Sequence, residues 1–315
     1  MDSREHRHPT PLLLQGQGLL IAVVVRLAFL GFVLCGGSGL ASLHAEDTYT
    51  VAHRDPNEPN HPYAAWDHTL TPPAVAPFTP IEPFEATYQF GWEGVSAGGA
   101  SIRVNAVNNP LGKRDHSSLL ISAEGGPNEW VRKLWNYHAD YQGEAGVNGE
   151  IPSWFHMDES VSRGMMVSDA IFTRDAVFAC HRFTTESKPW WYTPLPGVRD
   201  LFAAMLFVRS QPLRDGDHLR LSTFPDRNPY LVDLTVAGRD TLLIMGKKVP
   251  AIRFTIGIQT IETMGPNIGR LAPHKKFRSG RVWMSDDRLR IPLKAEVDVF
   301  IGSVFAKLVK MNPAL

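Results

Sequence analysis

The run Gly94-Val95-Ser96-Ala97-Gly98 has the Gly-x-Ser-x-Gly spacing of a nucleophile elbow, in which a strained strand-to-helix turn exposes a serine hydroxyl beside an oxyanion hole. That chemistry needs a helix after the second glycine. The residues after Gly98 alternate instead, with Ala100, Ile102, Val104 and Ala106 set against Ser101, Arg103 and Asn105, the two-residue period of a strand. The glycines therefore read as parts of a β-hairpin, and Ser96 is not expected to be catalytic.

Three acidic clusters, Asp158-Glu159, Asp215-Gly216-Asp217 and Asp286-Asp287, have the residue types for Ca²⁺ binding or an acid/base pair. Each falls at a predicted turn without the twelve-residue calcium-loop spacing, so their carboxylates are expected to bond their own backbone. His138, His156 and His181 lie in separate predicted strands and lack the close ligand spacing of a zinc site. Cys180, in Phe178-Ala179-Cys180-His181, reads as a small buried hydrophobe rather than a thiol activated by its neighbour. No catalytic residue, metal ligand or cofactor is assigned.

The segment Pro189-Trp190-Trp191-Tyr192-Thr193-Pro194 offers different chemistry. Three consecutive rings exceed what one strand face can bury, and aromatics with polar tips suit the mouth of an apolar cavity. Trp130 and Trp135 on one predicted helix, and Phe202 and Met205 on another, add to the same set. Trp130, Trp135, Trp190, Trp191, Tyr192, Phe202 and Met205 are the expected contacts for a hydrophobic or amphipathic ligand such as a lipid or acyl chain.

The elements that would position them are mostly strands. Phe84, Ala86, Tyr88, Phe90 and Trp92 alternate with Glu85, Thr87 and Gln89, and the pattern returns at Leu119-Ile121-Ala123, Val232-Leu234-Val236, Ile252-Phe254-Ile256-Ile258 and Leu293-Ala295-Val297-Val299-Ile301. One wet face and one buried face mean antiparallel sheet. Ala237-Gly238-Arg239-Asp240 and Gly246-Lys247-Lys248 are expected as turns separating three strands, and Ser285-Asp286-Asp287 as the turn of a hairpin running from Gly280 to Val297. Two segments break the β period. Trp130, Val131, Leu134 and Trp135 fall at helical spacing after a capping Asn128, and a second helix is expected over Val198 to Arg209, after Pro194, Pro196 and Gly197. The fold expected is mainly β: a curved antiparallel sheet forming a barrel or half-barrel, with two short helices covering or plugging its apolar side.

The hairpin from Gly280 to Val297, the stretch from Phe84 to Gly98, the stretch from Arg199-Asp200-Leu201 to Asp217, and Gly302-Ser303-Val304 together resemble a bacterial family catalogued as domain of unknown function 3108. The resemblance implies an exported β-rich protein and carries no established chemistry or catalytic residue to transfer.

The amino-terminal order fits export. Arg4 and Arg7 precede the apolar run Leu19 to Val25, then Arg26, a second run from Leu27 to Leu34, and small residues ending at Ala45. Arg26 leaves neither apolar run near the ~20 residues of a membrane-spanning helix. Residues 1–45 are therefore expected to be a signal peptide cleaved after Ala41 or Ala45. Lipid anchoring at Cys35 is disfavoured because Leu34 departs from the small residue that should precede a lipidated cysteine. Residues 46–83, rich in Pro, His, Asn and Thr, read as an extended linker or strap, mostly a mobile arm, which Trp66 and Phe78 could pin in places. Residues 84–315 form a single β-rich domain.

The chain has 315 residues, 43% of them hydrophobic, with 32 basic and 32 acidic side chains, ample for a core and devoid of the charge excess that nucleic-acid binding requires. With Cys180 the only cysteine left after cleavage, no internal disulfide can form. These features point to an exported, periplasmic, non-catalytic protein that binds an apolar ligand. The alternative is an envelope scaffold that presents a sheet edge or the Pro-rich arm to a protein partner. A hydrolase would need converging polar residues, and an outer-membrane barrel fits poorly with two helices and evenly mixed charges.

Overall fold

The computed structural model of the chain describes residues 62–74, 83–107, 118–134, 136–147, 149, 153–161, 164–183, 186–187, 191–225, 228–275, 277–299 and 302–313. The expected signal segment, Cys35 and Phe78 lie outside them. The first half of the domain contributes strands β1 (Phe84–Trp92), β2 (Val95–Ala106), β3 (Ser118–Pro127), β4 (His138–Gly146), β5 (Ser153–Val161), β6 (Gly164–Phe172), β7 (Ala176–Phe183), β8 (Glu186–Ser187), β9 (Trp191–Pro194) and β10 (Val198–Arg199). The second half contributes β11 (His218–Thr223), β12 (Tyr230–Ile244), β13 (Lys247–Ile261), β14 (Leu271–Pro273), β15 (Phe277–Ser285), β16 (Pro292–Val299) and β17 (Ser303–Asn312). Two helices, α1 (Glu129–Arg132) and α2 (Leu201–Ser210), interrupt them.

Backbone pairing runs from β11 through β12, β13, β15, β16 and β17 to β1, then in chain order through β7 to β9. The last strand thus returns to the first, and the sheet curls as its alternating faces require. The ladders are antiparallel except that between β10 and β11, which is parallel. The sheet stops short of closing: β9 ends one side, β10 and β11 the other, and Leu195 to Gly197 cross between them, bonded back to Asp175 and Arg174.

The expected mainly β fold, a barrel-like curved sheet with two short helices, is what forms, with local differences. Ala237 to Asp240 is no turn: β12 continues through it, because Gly238, at φ 132°, allows a bulge between Val236 and Gly238 in its ladder with β13. Val198–Arg199 is a strand, and the second helix begins only at Leu201, where Asp200 supplies the cap. The first helix is shorter than expected, a single turn capped by Asn128, whose side chain accepts from Val131 N at 3.1 Å. Trp283 lies inside the expected hairpin, with its indole donating to Asp240 Oδ2 at 2.7 Å and flanked by Lys294 and Arg281.

Part of the Pro-rich segment lies in the seam. Trp66 is 2% exposed and donates to Gly269 O at 2.9 Å, while Tyr63 packs edge-on against it. Further on, Thr71 N donates to Arg220 O, and Arg220 N to Thr71 Oγ1. Tyr63 lies near enough to Tyr192 of β9 that their like charges would repel; burial first, and this neighbour second, push its phenol up to about 12. Residues 62–74 therefore form a strap along the β11 edge, where Thr71 and Arg220 satisfy backbone groups that an incomplete barrel leaves open.

Candidate functional site

α2 occupies the lumen. Every residue from Leu201 to Arg209 is buried, which a helix lying on a surface could not achieve. At its amino end Asp200 is fully buried; Oδ1 accepts from Phe202 N and Ala203 N, at 2.7 and 3.0 Å, and Oδ2 from Ser153 Oγ at 2.7 Å. Burial still raises its carboxyl above the ordinary 3.8, against the pull of those bonds. Arg199 donates to Gly149 O at 3.0 Å and lies over the Phe207 ring at 4.0 Å. Phe202 meets Phe155 of β5, with centroids 5.8 Å apart.

At the other end of α2 the carbonyls of Arg209 and Gln211 accept from the Arg290 guanidinium. Arg209 is 7% exposed; its Nη2 donates to Leu289 O, while Nε and Nη1 have no hydrogen-bond partner among the described residues. Burial and then the Arg290 charge lower its pKa to about 10, with Asp287 and Tyr88 opposing. Both ends of α2 thus rest on connections at one end of the barrel: Gly149 follows β4, Ser153 opens β5, and Leu289 and Arg290 lie between β15 and β16.

The opposite end carries a second polar group. Strand alternation turns Glu159 the same way as Phe155 and Met157, and burial leaves it 2% exposed, accepting from Tyr137 Oη at 2.7 Å and Tyr141 Oη at 3.1 Å. On the next strands Ser168 faces His181 across the β6–β7 ladder, with Ser168 Oγ 2.6 Å from His181 Nδ1. Sequence reasoning misses these residues as a group because Asp158-Glu159 reads as a turn. The pair instead lies within β5, so the two carboxylates point to opposite faces. The parity of Glu159 with Phe155 and Met157 is the signal that could have found it.

Outside the sheet, His156 faces Asp169, 2.7 Å from Nδ1, and Asp158, 3.4 Å from Nε2. Partial burial disfavours its charge, but the two carboxylates outweigh that and raise its pKa above 6.5. A raised folded value means that stability from this site is fully present below the ordinary histidine pKa and is lost as pH rises through the raised one. An NMR titration should place the His156 midpoint above 6.5, and Asp169→Asn should lower it. A wild-type midpoint at or below 6.5 would contradict these ion pairs.

The seven expected ligand contacts do not form one cluster among the described residues. Trp130 is 53% exposed on α1, and Tyr192 packs against Phe178, which is partly exposed on the outer face. Phe202 and Met205 are interior, at 3% and 5% exposure. Trp191 opens β9 with its side chain outside the description, as are Trp135 and Trp190 entirely. Ser96 lies within β2 and accepts from Gln89 Nε2 at 2.9 Å. Asp217 and Asp287 bond nearby backbone, as expected of turn carboxylates. Among the described residues no group of three or more His, Cys, Asp or Glu side chains could hold a metal ion, and no helix is long and apolar enough to cross a membrane.

A family described as "Protein of unknown function (DUF3108)" matches residues 84–309. No curated protein matches the chain. Among solved structures, a β-barrel-like protein of domain of unknown function DUF1849 from Brucella abortus is 14% identical, covering 73% of this chain and 97% of that one, with a TM-score of 0.47. A candidate lipoprotein from Parabacteroides distasonis is 8% identical over 75% of this chain and 97% of that one, at a TM-score of 0.30. A candidate exported protein with a YmcC-like fold from Bacteroides fragilis is 12% identical over 76% and 100%, also at 0.30.

Proposed function

The chain belongs to the DUF3108 family of proteins of unknown function, and from that premise we propose that it is an exported, non-catalytic protein of the periplasm that binds a hydrophobic or amphipathic ligand, a lipid or acyl chain. The observation that carries this reading is the apolar rim at the end of the barrel away from the seats of α2. Trp92 and Val95 flank the β1–β2 turn, Trp130 and Leu134 follow β3, Met165 begins β6, and Met264 and Ile268 follow β13; their exposures run from 37% to 70%. Exposed apolar side chains gathered at one end of a barrel suit contact with an apolar molecule. Toward the same end Tyr137 is bonded to Glu159 and Ser168 lies against His181, so buried polar pairs accompany the apolar rim.

Displacement of a fluorescent fatty acid from the purified protein tests this. Oleate should compete, and a Trp130→Ser, Leu134→Ser, Met264→Ser triple variant should weaken competition several-fold while the sheet signal in circular dichroism stays unchanged. A protein that never takes up the fluorophore would count against ligand binding.

The scaffold reading rests on a different surface. Leu120, Trp154, Ile171 and Phe178 are 36% to 48% exposed on the outer faces of β3, β5, β6 and β7, and the last three lie in one register across their ladders. A protein partner would be lost on Trp154→Ser with Phe178→Ser, changes that should leave fatty-acid displacement intact.

A further inference from the structure

We propose that the rim around α1 docks on the surface of an anionic lipid bilayer, an inference that goes beyond the ligand-binding reading because it needs no molecule inside the barrel. The turn of α1 presents its apolar side to solvent. Val131 is its only buried residue, while Trp130 and Leu134, four positions apart and so on one side of the turn, are 53% and 70% exposed. Arg132 and Lys133 stand between them, both exposed and neither in an ion pair among the described residues. Hydrogen bonds hold this turn against the sheet. Asn128 N donates to Ala97 O at 2.9 Å and Asn128 Nδ2 to Ser96 O at 3.0 Å, which sets α1 beside the β1–β2 turn and its exposed Trp92 and Val95. Met165, 49% exposed, pairs with Ser160 of β5, which pairs in turn with His138 shortly after α1.

Three connections at one end of the barrel thus place apolar side chains around a pair of cations. A bilayer interface suits both kinds: an indole and a leucine enter the headgroup boundary, and lysine and arginine meet lipid phosphates. The charges choose this occupant over a second copy of the chain, since a twofold contact at this turn would set Arg132 and Lys133 against their own counterparts. Nearby carboxylates do not cancel them. Glu129 is a single acidic residue on the turn, Glu93 Oε1 accepts from Ser303 N, and Asp140 lies 2.8 Å from His138 Nε2. Further round the rim, Glu262 and Arg270 balance each other at the neck of the connection that carries Met264 and Ile268, where Glu262 N donates to Arg270 O.

Co-sedimentation of the purified protein with vesicles of phosphatidylcholine alone, and of phosphatidylcholine with an equal part of phosphatidylglycerol, tests the proposal. Wild type should bind the mixed vesicles about tenfold tighter than the neutral ones, a difference that added salt removes. Arg132→Gln with Lys133→Gln should bring the two affinities to within about twofold while fatty-acid displacement is kept. Trp130→Ser with Leu134→Ser should weaken binding to both vesicles. Equal wild-type affinity for the two vesicles, or none for either, overturns docking and leaves ligand binding to be judged by displacement alone. Vesicle binding that survives both pairs of substitutions overturns it too, because the contact would then lie elsewhere on the chain. A dimer that dissociates on Trp130→Ser with Leu134→Ser would assign the rim to a second copy instead. Vesicle binding without any fatty-acid displacement would sink the ligand-binding reading and leave docking standing. The wild-type comparison decides the matter even if a variant does not fold.

Discussion

Replacing Gly149 by alanine should unseat α2 and cost more than about 4 kcal/mol, or prevent folding, by the measure of overpacked and strained core sites. A Cβ at that position would stand 2.1 Å from Ala203 O, 2.4 Å from Phe207 N and 2.6 Å from Phe207 Cβ, atoms of a helix held on all sides. Gly149 also sits at φ +70°, where side chains are disfavoured. Gly216 separates the two causes. Its φ is +87°, and among the described residues nothing lies within 4 Å of its would-be Cβ, so Gly216→Ala should cost only about 1 kcal/mol. Urea unfolding followed by near-ultraviolet circular dichroism would compare the two. Similar losses would show that α2 is not wedged against Gly149.

Trp66→Ala should be the second large loss, about 3 to 5 kcal/mol, because it removes a fully packed indole together with its bond to Gly269 O. The pattern of the loss is more telling than its size. With the strap released, amide exchange should rise at Thr71, Arg220 and the neighbouring residues of β11, while β2 to β5, far from the seam, stay protected. Uniform acceleration across the sheet would mean that the strap holds the whole fold rather than its open edge. A change below about 1 kcal/mol would mean that it holds neither.

Much of this architecture is legible in the residue pattern. Strands with one wet face announce themselves by alternation, so β1, β2, β13 and β16 can be read directly, as can the acidic turn before Ile291 and the Asn128 cap. Other elements escape such a reading for physical reasons. Gly238 looks like a turn residue because a bulge exploits the same backbone freedom. Val198 merges with the adjoining helix because α2 is apolar all round, and such a helix has no polar face to mark its register. The strap reads as mostly mobile, pinned in places by Trp66, because its prolines exclude helix and central strand; Trp66 is buried against Gly269, while the backbone bonds of Thr71 to the β11 edge leave no sequence signal. Arg209 looks like the basic end of a surface helix, a role taken instead by Arg290 from a distant turn.

The interior also changes the weight of the sequence-predicted contacts. Phe202 and Met205 belong to the packed lumen, and with Arg209 they outline one surface of α2, whereas Trp130 belongs to the rim.

Native mass spectrometry of the protein isolated from the cell envelope without detergent would decide whether the barrel carries a ligand at all. A population heavier than the polypeptide by the mass of an extractable acyl-containing molecule is expected, reduced to the bare chain after organic extraction. A single bare mass, from protein that also fails to take up added fatty acid, would contradict a ligand-binding barrel.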